Sequence, residues 1–220
     1  MAKFGFYISG KSGRLKKFIE QADRTICESI EIVISEYNIE SGLRELLEKK
    51  DITYKVFDYK MLGSTNSERN SELSDILLRE LSENKIDYCF SFGSHILSGK
   101  LLVEYCNRII NFHPSLLPLY PGMKAVDKAV NDSRSLLLIG NTAHFIDEGV
   151  DSGPIIMQSV IPMQAFDDTK DYNVILDLQI DMLNQIVEII DKDCLLIQDG
   201  KVRIKNADYS RSAIFPLWEQ

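Results

Sequence analysis

The residues best suited to chemistry gather in Ile109-Ile110-Asn111-Phe112-His113-Pro114, where an amide and an imidazole follow two apolar residues. A spacing of two sets Asn111 and His113 on one face of an extended strand, while Phe112 points to the other face and into the packing. Pro114 has no N–H for the ladder and ends it there. An imidazole of this kind needs a carboxylate partner, and Asp147-Glu148-Gly149-Val150-Asp151-Ser152-Gly153-Pro154 offers Asp147, Glu148 and Asp151. Spacing alone does not choose among the three. Amide, imidazole and acid together suit acyl transfer to an amine: the first two stabilise a tetrahedral oxyanion, the acid moves protons, and no Ser or Cys nucleophile is required. Taken separately, each motif has a plainer reading, because a histidine beside a proline is often a satisfied turn residue and an acidic glycine loop a solvated one.

The other histidines are weaker candidates. His95 lies in Phe92-Gly93-Ser94-His95, and His144 sits between apolar residues of a strand, where a core role is expected. No pair has the helical His-x-x-x-His spacing, so no metal site is expected. Cys27, Cys89, Cys106 and Cys194 show neither metal-ligand spacing nor a disulfide framework, and the expectation is reduced, packed thiols.

The elements that must position these groups alternate short β-branched and aromatic runs with helix-period segments, the pattern of a mostly parallel sheet flanked by helices. Residues 4–8 read as a first strand, which breaks at Ser9-Gly10-Lys11-Ser12-Gly13; Leu15, Phe18, Ile19 and Ala22 then form one helix face. Strands follow at 31–35, 54–57 and 88–92, with helices through Leu43, Leu46 and Leu47 and through Leu73, Ile76, Leu77 and Leu81, and a polar loop over 63–70. This repeated unit predicts a doubly wound sheet that binds ligands at its carboxyl ends. Four of the six prolines lie between Pro114 and Pro154, where ordered loops and longer, partly antiparallel strands are expected at 136–146 and 155–161. Ile175, Leu178, Met182, Ile186 and Ile189 mark a last helix, and 201–204 a last strand; whether 195–197 pairs with it around Asp199-Gly200 stays open.

The chain has 220 residues, 45% of them apolar and 26% charged, enough for one domain with a real core. The domain expectation is a catalytic domain over 1–190, with a strand and tail over 191–220 packed on it. No apolar run approaches the length of a membrane span, and the N-terminus lacks an apolar leader pattern, so a cytoplasmic protein without membrane contact is expected. A net charge of −8 repels a polyphosphate backbone and argues against nucleic acid as a partner. The partners expected are small molecules, with a homodimer that edge and tail contacts could make.

Asn111-Phe112-His113-Pro114-Ser115-Leu116-Leu117-Pro118, followed by the long run from Gly140 through Asp147-Glu148-Gly149-Val150-Asp151-Ser152-Gly153-Pro154 to Ile156, resembles the formyltransferases that use 10-formyltetrahydrofolate. Two long motifs in order, over about residues 3 to 162, are far more specific than a short glycine motif. The resemblance implies a Rossmann-like formyltransferase fold, 10-formyltetrahydrofolate as co-substrate and no metal. It carries the catalytic Asn-x-His onto Asn111 and His113 and the catalytic acid onto Asp151, which settles the choice among the three carboxylates. An amine would attack the formyl carbon, Asn111 and protonated His113 would hold the oxyanion, and Asp151 would support the imidazolium and relay the proton. The same resemblance implies a folate pocket at His95, Ile96, Leu97 and Leu102 and in the loop with Ile146, Asp147, Glu148 and Val150. Phe92, Phe112, Pro114 and Gly122 would line the substrate side, with Ser12, Gly13 and Arg14 at the acceptor's phosphate.

Departures from the family pattern concern the acceptor. His95 stands where relatives carry Arg, and Phe92-Gly93 reverses a Gly-Phe order. The phosphate loop of purine-pathway enzymes, Ser-Gly-x-Gly-Ser-Asn, is Ser9-Gly10-Lys11-Ser12-Gly13-Arg14 here, although a glycine loop opening a helix still suits an anion. Lys11, Arg14, Lys16 and Lys17 form a basic cluster that is either an anion site or a solvated helix start. The last helix lacks the Glu-His pair of relatives at Gln179-Ile180-Asp181, and a long tail through Asp208-Tyr209-Ser210 and Pro216 resembles enzymes acting on nucleotide-linked amino sugars. The acceptor expected is therefore the amine of a nucleotide-linked amino sugar, in surface-polysaccharide synthesis, with phosphoribosylglycinamide of purine synthesis as the alternative.

Overall fold

The structure, a computed structural model, describes residues 1–10, 12–132, 136–169 and 171–210. Lys11 of the basic cluster and the part of the tail from 211 onward lie outside the described residues. The chain divides into two compact units.

The first unit holds Met1–Phe112 and Phe145–Gly153. Its elements are β1 (Phe4–Ile8), α1 (Gly13–Gln21), α2 (Arg24–Glu28), β2 (Ile30–Ser35), α3 (Ser41–Lys49), β3 (Thr53–Val56), a 3-10 turn (Tyr59–Met61), α4 (Asn66–Glu83), β4 (Tyr88–Phe92), α5 (Lys100–Glu104) and β5 (Ile109–His113), whose last residue opens the second unit. The strands run parallel in the order β3-β2-β1-β4-β5, as the βα repeat predicts. All five residues of β1 are buried, which is how a parallel strand covered on both faces reads in sequence. One cover is an aromatic tier of Phe4, Phe6, Phe18, Phe90, Phe92 and Phe112 with ring centroids 5.2–6.3 Å apart. The other is a cluster built on Tyr7, Ile32, Ile34, Leu77, Leu97 and Leu101. The order reverses between β1 and β4, so the loops after these two strands flank the crevice where such sheets take ligands.

The loop expected over 63–70 is a helix from Asn66 on. Thr65 accepts from the Glu68 N–H at 3.2 Å, and the Glu68 carboxylate accepts from the Thr65 N–H at 3.2 Å. This reciprocal cap starts α4 on residues too polar to show a helical face.

The second unit holds His113–His144 and the chain from Pro154. It contains α6 (Ala125–Val130), β6 (Leu138–Phe145), β7 (Ile155–Pro162), α7 (Met163–Thr169), α8 (Asn173–Asp191), β8 (Leu195–Gln198) and β9 (Lys201–Ile204). β6 and β7 pair antiparallel, bearing out the change of character after Pro114. β8 and β9 form the hairpin left open above: Asp199 and Gly200 both take positive φ (51° and 69°), the turn that Asp-Gly favours. The core of this unit is Val126, Ala129, Ile139, Ile161, Phe166 and Ile175. His144 is buried as expected. Packed thiols are found only in part: Cys27 and Cys89 are buried, Cys194 is half-buried and Cys106 is exposed, because it follows the short α5 on a turn. Among the described residues no helix is long and apolar enough to cross a membrane.

Candidate active site

β5 carries Asn111, half-buried, and His113, 5% exposed. The His113 Nε2 lies 2.9 Å from the Tyr120 carbonyl oxygen. A carbonyl only accepts, so Nε2 carries the hydrogen and the ring orientation is set from the loop that follows it. That loop is itself held: the Ser115 N–H donates to the His113 carbonyl at 2.9 Å, and the Ser115 hydroxyl donates to the Leu119 carbonyl at 2.6 Å. From β6, Thr142 donates to the Ser115 carbonyl at 2.7 Å and accepts from the Leu117 N–H at 3.0 Å. Gln158 of β7 reaches the Leu117 carbonyl at 3.0 Å. The proline-rich stretch after His113 is thus ordered by buried neutral hydrogen bonds, as its composition leads one to expect.

The acidic loop belongs to the first unit. Asp147 accepts from the Gly149 N–H at 3.1 Å and the Ser152 hydroxyl at 2.8 Å, so this carboxylate shapes its own loop as an Asx-turn. Glu148 and Val150 point to solvent, and Asp151 is half-buried in the left-handed region with φ 53°. At Gly153 a Cβ would lie 2.0 Å from the Phe145 carbonyl oxygen, which closes the loop to any other residue. Ile146, at its start, packs on the same apolar cluster that buries Leu97 and Leu102, at 3% and 8% exposure. The segments expected to hold the folate therefore share one apolar floor within one unit. Ile96 is 57% exposed beside them.

His95 has partners that the sequence reading missed. Its Nε2 lies 2.9 Å from Glu36 Oε2, and its ring stacks on Tyr59 at 3.6 Å and 8°. Glu36 is wholly buried, and the Tyr7 hydroxyl donates to its other oxygen. Burial raises the Glu36 carboxyl above its ordinary value, with Tyr7 and His95 pulling it back. A visible signal existed: Glu36 follows directly on Ile-Glu-Ile-Val-Ile-Ser, a strand whose last four residues are buried.

At the start of α1, Ser12 has φ 53°, its hydroxyl donates to the Gly10 carbonyl at 3.2 Å, and no side chain caps the helix. The Arg14 guanidinium lies 4.4 Å from the centre of the Phe92 ring. Burial lowers it to about 10, which leaves it charged at neutral pH. Lys16 pairs with Glu20 at 3.8 Å on the exposed helix side, so Lys16 belongs to a solvated face. Phe92 and Phe112, expected on the substrate side, are buried in the aromatic tier with centroids 5.8 Å apart. In the second unit Pro114 borders a cavity of about 250 Å3 with Lys124, Val126, Asp127, Tyr172 and Ile175. Gly122 turns with φ 76° ahead of it. Where relatives carry the Glu-His pair, Gln179 is buried and donates to Asn141 Oδ1 at 2.8 Å. Among the described residues no cluster of His, Cys, Asp or Glu could hold a metal.

Residues 2–183 match the family model described as formyl transferase. The chain is 33% identical over 168 residues to the trifunctional purine biosynthetic protein adenosine-3 of Drosophila pseudoobscura pseudoobscura, a match covering 74% of this chain and 12% of that protein. It is 34% identical over 121 residues to the formyltetrahydrofolate deformylase of Haemophilus influenzae, covering 54% of this chain and 41% of the relative. Among solved structures, glycinamide ribonucleotide transformylase 1 from Symbiobacterium toebii is similar with a TM-score of 0.77 at 27% identity, over 93% of this chain and 94% of that one.

Proposed function

Because the chain belongs to the formyl transferase family, we propose that it moves a formyl group from 10-formyltetrahydrofolate to the amine of phosphoribosylglycinamide. The observation that carries the folate half is the shared apolar floor under His95–Leu97 and Ile146, where backbone groups of two loops can read a flat ring. The acceptor is supported by the similarity to a glycinamide ribonucleotide transformylase along nearly the whole of both chains. It displaces the nucleotide-linked amino sugar as the favoured acceptor. The loop departure that pointed to a sugar weighs less once Arg14 is seen lying over Phe92, a contact that accounts for the residue without a different phosphate.

In this reading the acceptor nitrogen bonds to the formyl carbon, Asn111 and His113 hold the developing oxyanion, and Asp151 supports the imidazolium and accepts the amine proton. The bond from the formyl carbon to N10 then breaks, and N10 receives the proton. A second reading, transfer to a sugar amine, keeps one observation in its favour: Gln179 is spent on Asn141, so the acid that holds a ribose in relatives has no counterpart there.

The test follows tetrahydrofolate release with phosphoribosylglycinamide, with dTDP- and GDP-linked amino sugars, and with no amine. Turnover with phosphoribosylglycinamide alone is expected. Turnover only with a sugar would move the acceptor, and formate release without an amine would make the protein a deformylase. His113→Ala should lower kcat roughly a hundredfold with the fold intact, and near-normal turnover would remove His113 from the mechanism.

A further inference from the structure

Three titratable side chains of the first unit are buried or half-buried together and have no part in the transfer step: Tyr7 on β1, Glu36 just past β2, and His95 beyond β4. Each Glu36 oxygen has one partner, the Tyr7 hydroxyl on Oε1 and His95 Nε2, 2.9 Å away, on Oε2. His95 is clamped from its face as well, since Tyr59 stacks on it and the Tyr59 hydroxyl donates to Asn70 of α4 at 2.7 Å. Four residues past Asn70, the Ser74 hydroxyl accepts from the Ser98 N–H at 3.0 Å and so ties down the far end of the same segment. At the near end, Gly93 lies so close to Tyr7 that a Cβ would fall 1.9 Å from its ring. Between these ties Leu97 is sunk in the core and Ile96 stands out of it.

Burying an ionisable group is costly, since desolvation can outweigh what its pairing returns, and such a group is worth keeping where it fixes a geometry. The geometry gained here is that of residues 93–98. We propose that Glu36 is a positioning residue for the folate: through His95, and with Tyr7 and Tyr59 as its other supports, it holds the backbone of His95–Leu97 in the shape that reads the pterin ring. The assignment rests on the proposed function, which puts the folate at that segment. It also gives the departure at position 95 a physical account, since a histidine fits between a buried carboxyl group and a tyrosine ring.

The experiment measures binding of 5-formyltetrahydrofolate by calorimetry, without acceptor, together with KM for each substrate and kcat, in the intact protein and in Glu36→Ala and Glu36→Gln. Glu36→Ala should weaken 5-formyltetrahydrofolate binding and raise KM for 10-formyltetrahydrofolate about tenfold, the weight of one buried hydrogen bond, with kcat and the acceptor's KM within about twofold. Glu36→Gln fills the same space with a neutral group and should fall between. Unchanged folate binding in a folded Glu36→Ala protein would overturn the inference and leave formyl transfer standing. A fall in kcat with folate KM unchanged would overturn it too, because positioning would not act that way. If the unaltered protein failed to bind folate, the functional reading would fall and the inference with it. Should Glu36→Ala not fold, Tyr59→Leu removes the plate under His95 while Glu36 keeps both partners; it should raise the folate KM about threefold, and an unchanged value would count against the clamp.

Discussion

Each unit buries a polar network, and the two are built from different chemistry. In the first unit Tyr7, Glu36 and His95 are all ionisable. In the second, Asn141 donates to Ser159 and to the Ile175 carbonyl at 3.0 Å each and accepts from Gln179, while Thr142 and Gln158 join the loop after His113. Every side chain of that set is neutral. Both satisfy buried polar atoms, but only the first can change its charge, so the second serves architecture and the first can also respond to its surroundings. Glycines are crowded in two ways. Gly93 in the first unit is crowded by a side chain, whereas Gly140 in the second, like Gly153 in the first, is crowded by backbone, its Cβ position lying 1.9 Å from the Ser159 carbonyl oxygen.

The largest effect that would sharpen this contrast is expected at Gly140. Gly140→Ala sets a methyl group against a carbonyl of the paired strand that cannot step aside, and should cost about 4 kcal/mol in urea unfolding. Asn141→Ala comes next: it removes the acceptor of one Gln179 hydrogen bond and a donor to the Ile175 carbonyl in the core, for about 3 kcal/mol at any pH. Gly93→Ala should cost about 2 kcal/mol and, because a side chain is the obstacle, combining it with Tyr7→Leu should show a coupling energy that returns part of the loss. Strict additivity there would mean that Tyr7 is not what Gly93 accommodates. The smallest effect is a slope. Burial raises the Glu36 carboxyl in the folded state above the ordinary 4.5, so its contribution is fully present below that pH and is lost as pH rises through the folded value. Glu36→Gln removes this group, and the stability of the unaltered protein relative to the variant should therefore decline from acid to alkaline pH. A flat difference would erase the distinction between the two networks.

Much of the parallel half was legible in sequence, because buried strands such as Phe4–Ile8 and amphipathic faces such as Leu15, Phe18 and Ile19 write their environment into residue type. The hairpin at Asp199-Gly200 stayed open in the sequence, and its pairing is seen only in the structure, where both residues take positive φ. The five-residue helices α2 and α5 were not foreseen, since they are too short to display a period. The start of α4 went unread for the opposite reason: its signal is a cap between Thr65 and Glu68, and polarity there looks like a loop. The placement of Asn111 and His113 on one strand was legible because a spacing of two brings both to one face. Glu36 and His95 were not, being 59 residues apart and joined only by the strand order β2-β1-β4.

The fit of Gly93 against Tyr7 also ties two distant positions into one unit of change. A Cβ at position 93 would stand 1.9 Å from the ring of Tyr7. A bulkier residue at 93 is therefore accommodated only with a smaller one at 7, and neither position can be redesigned without the other.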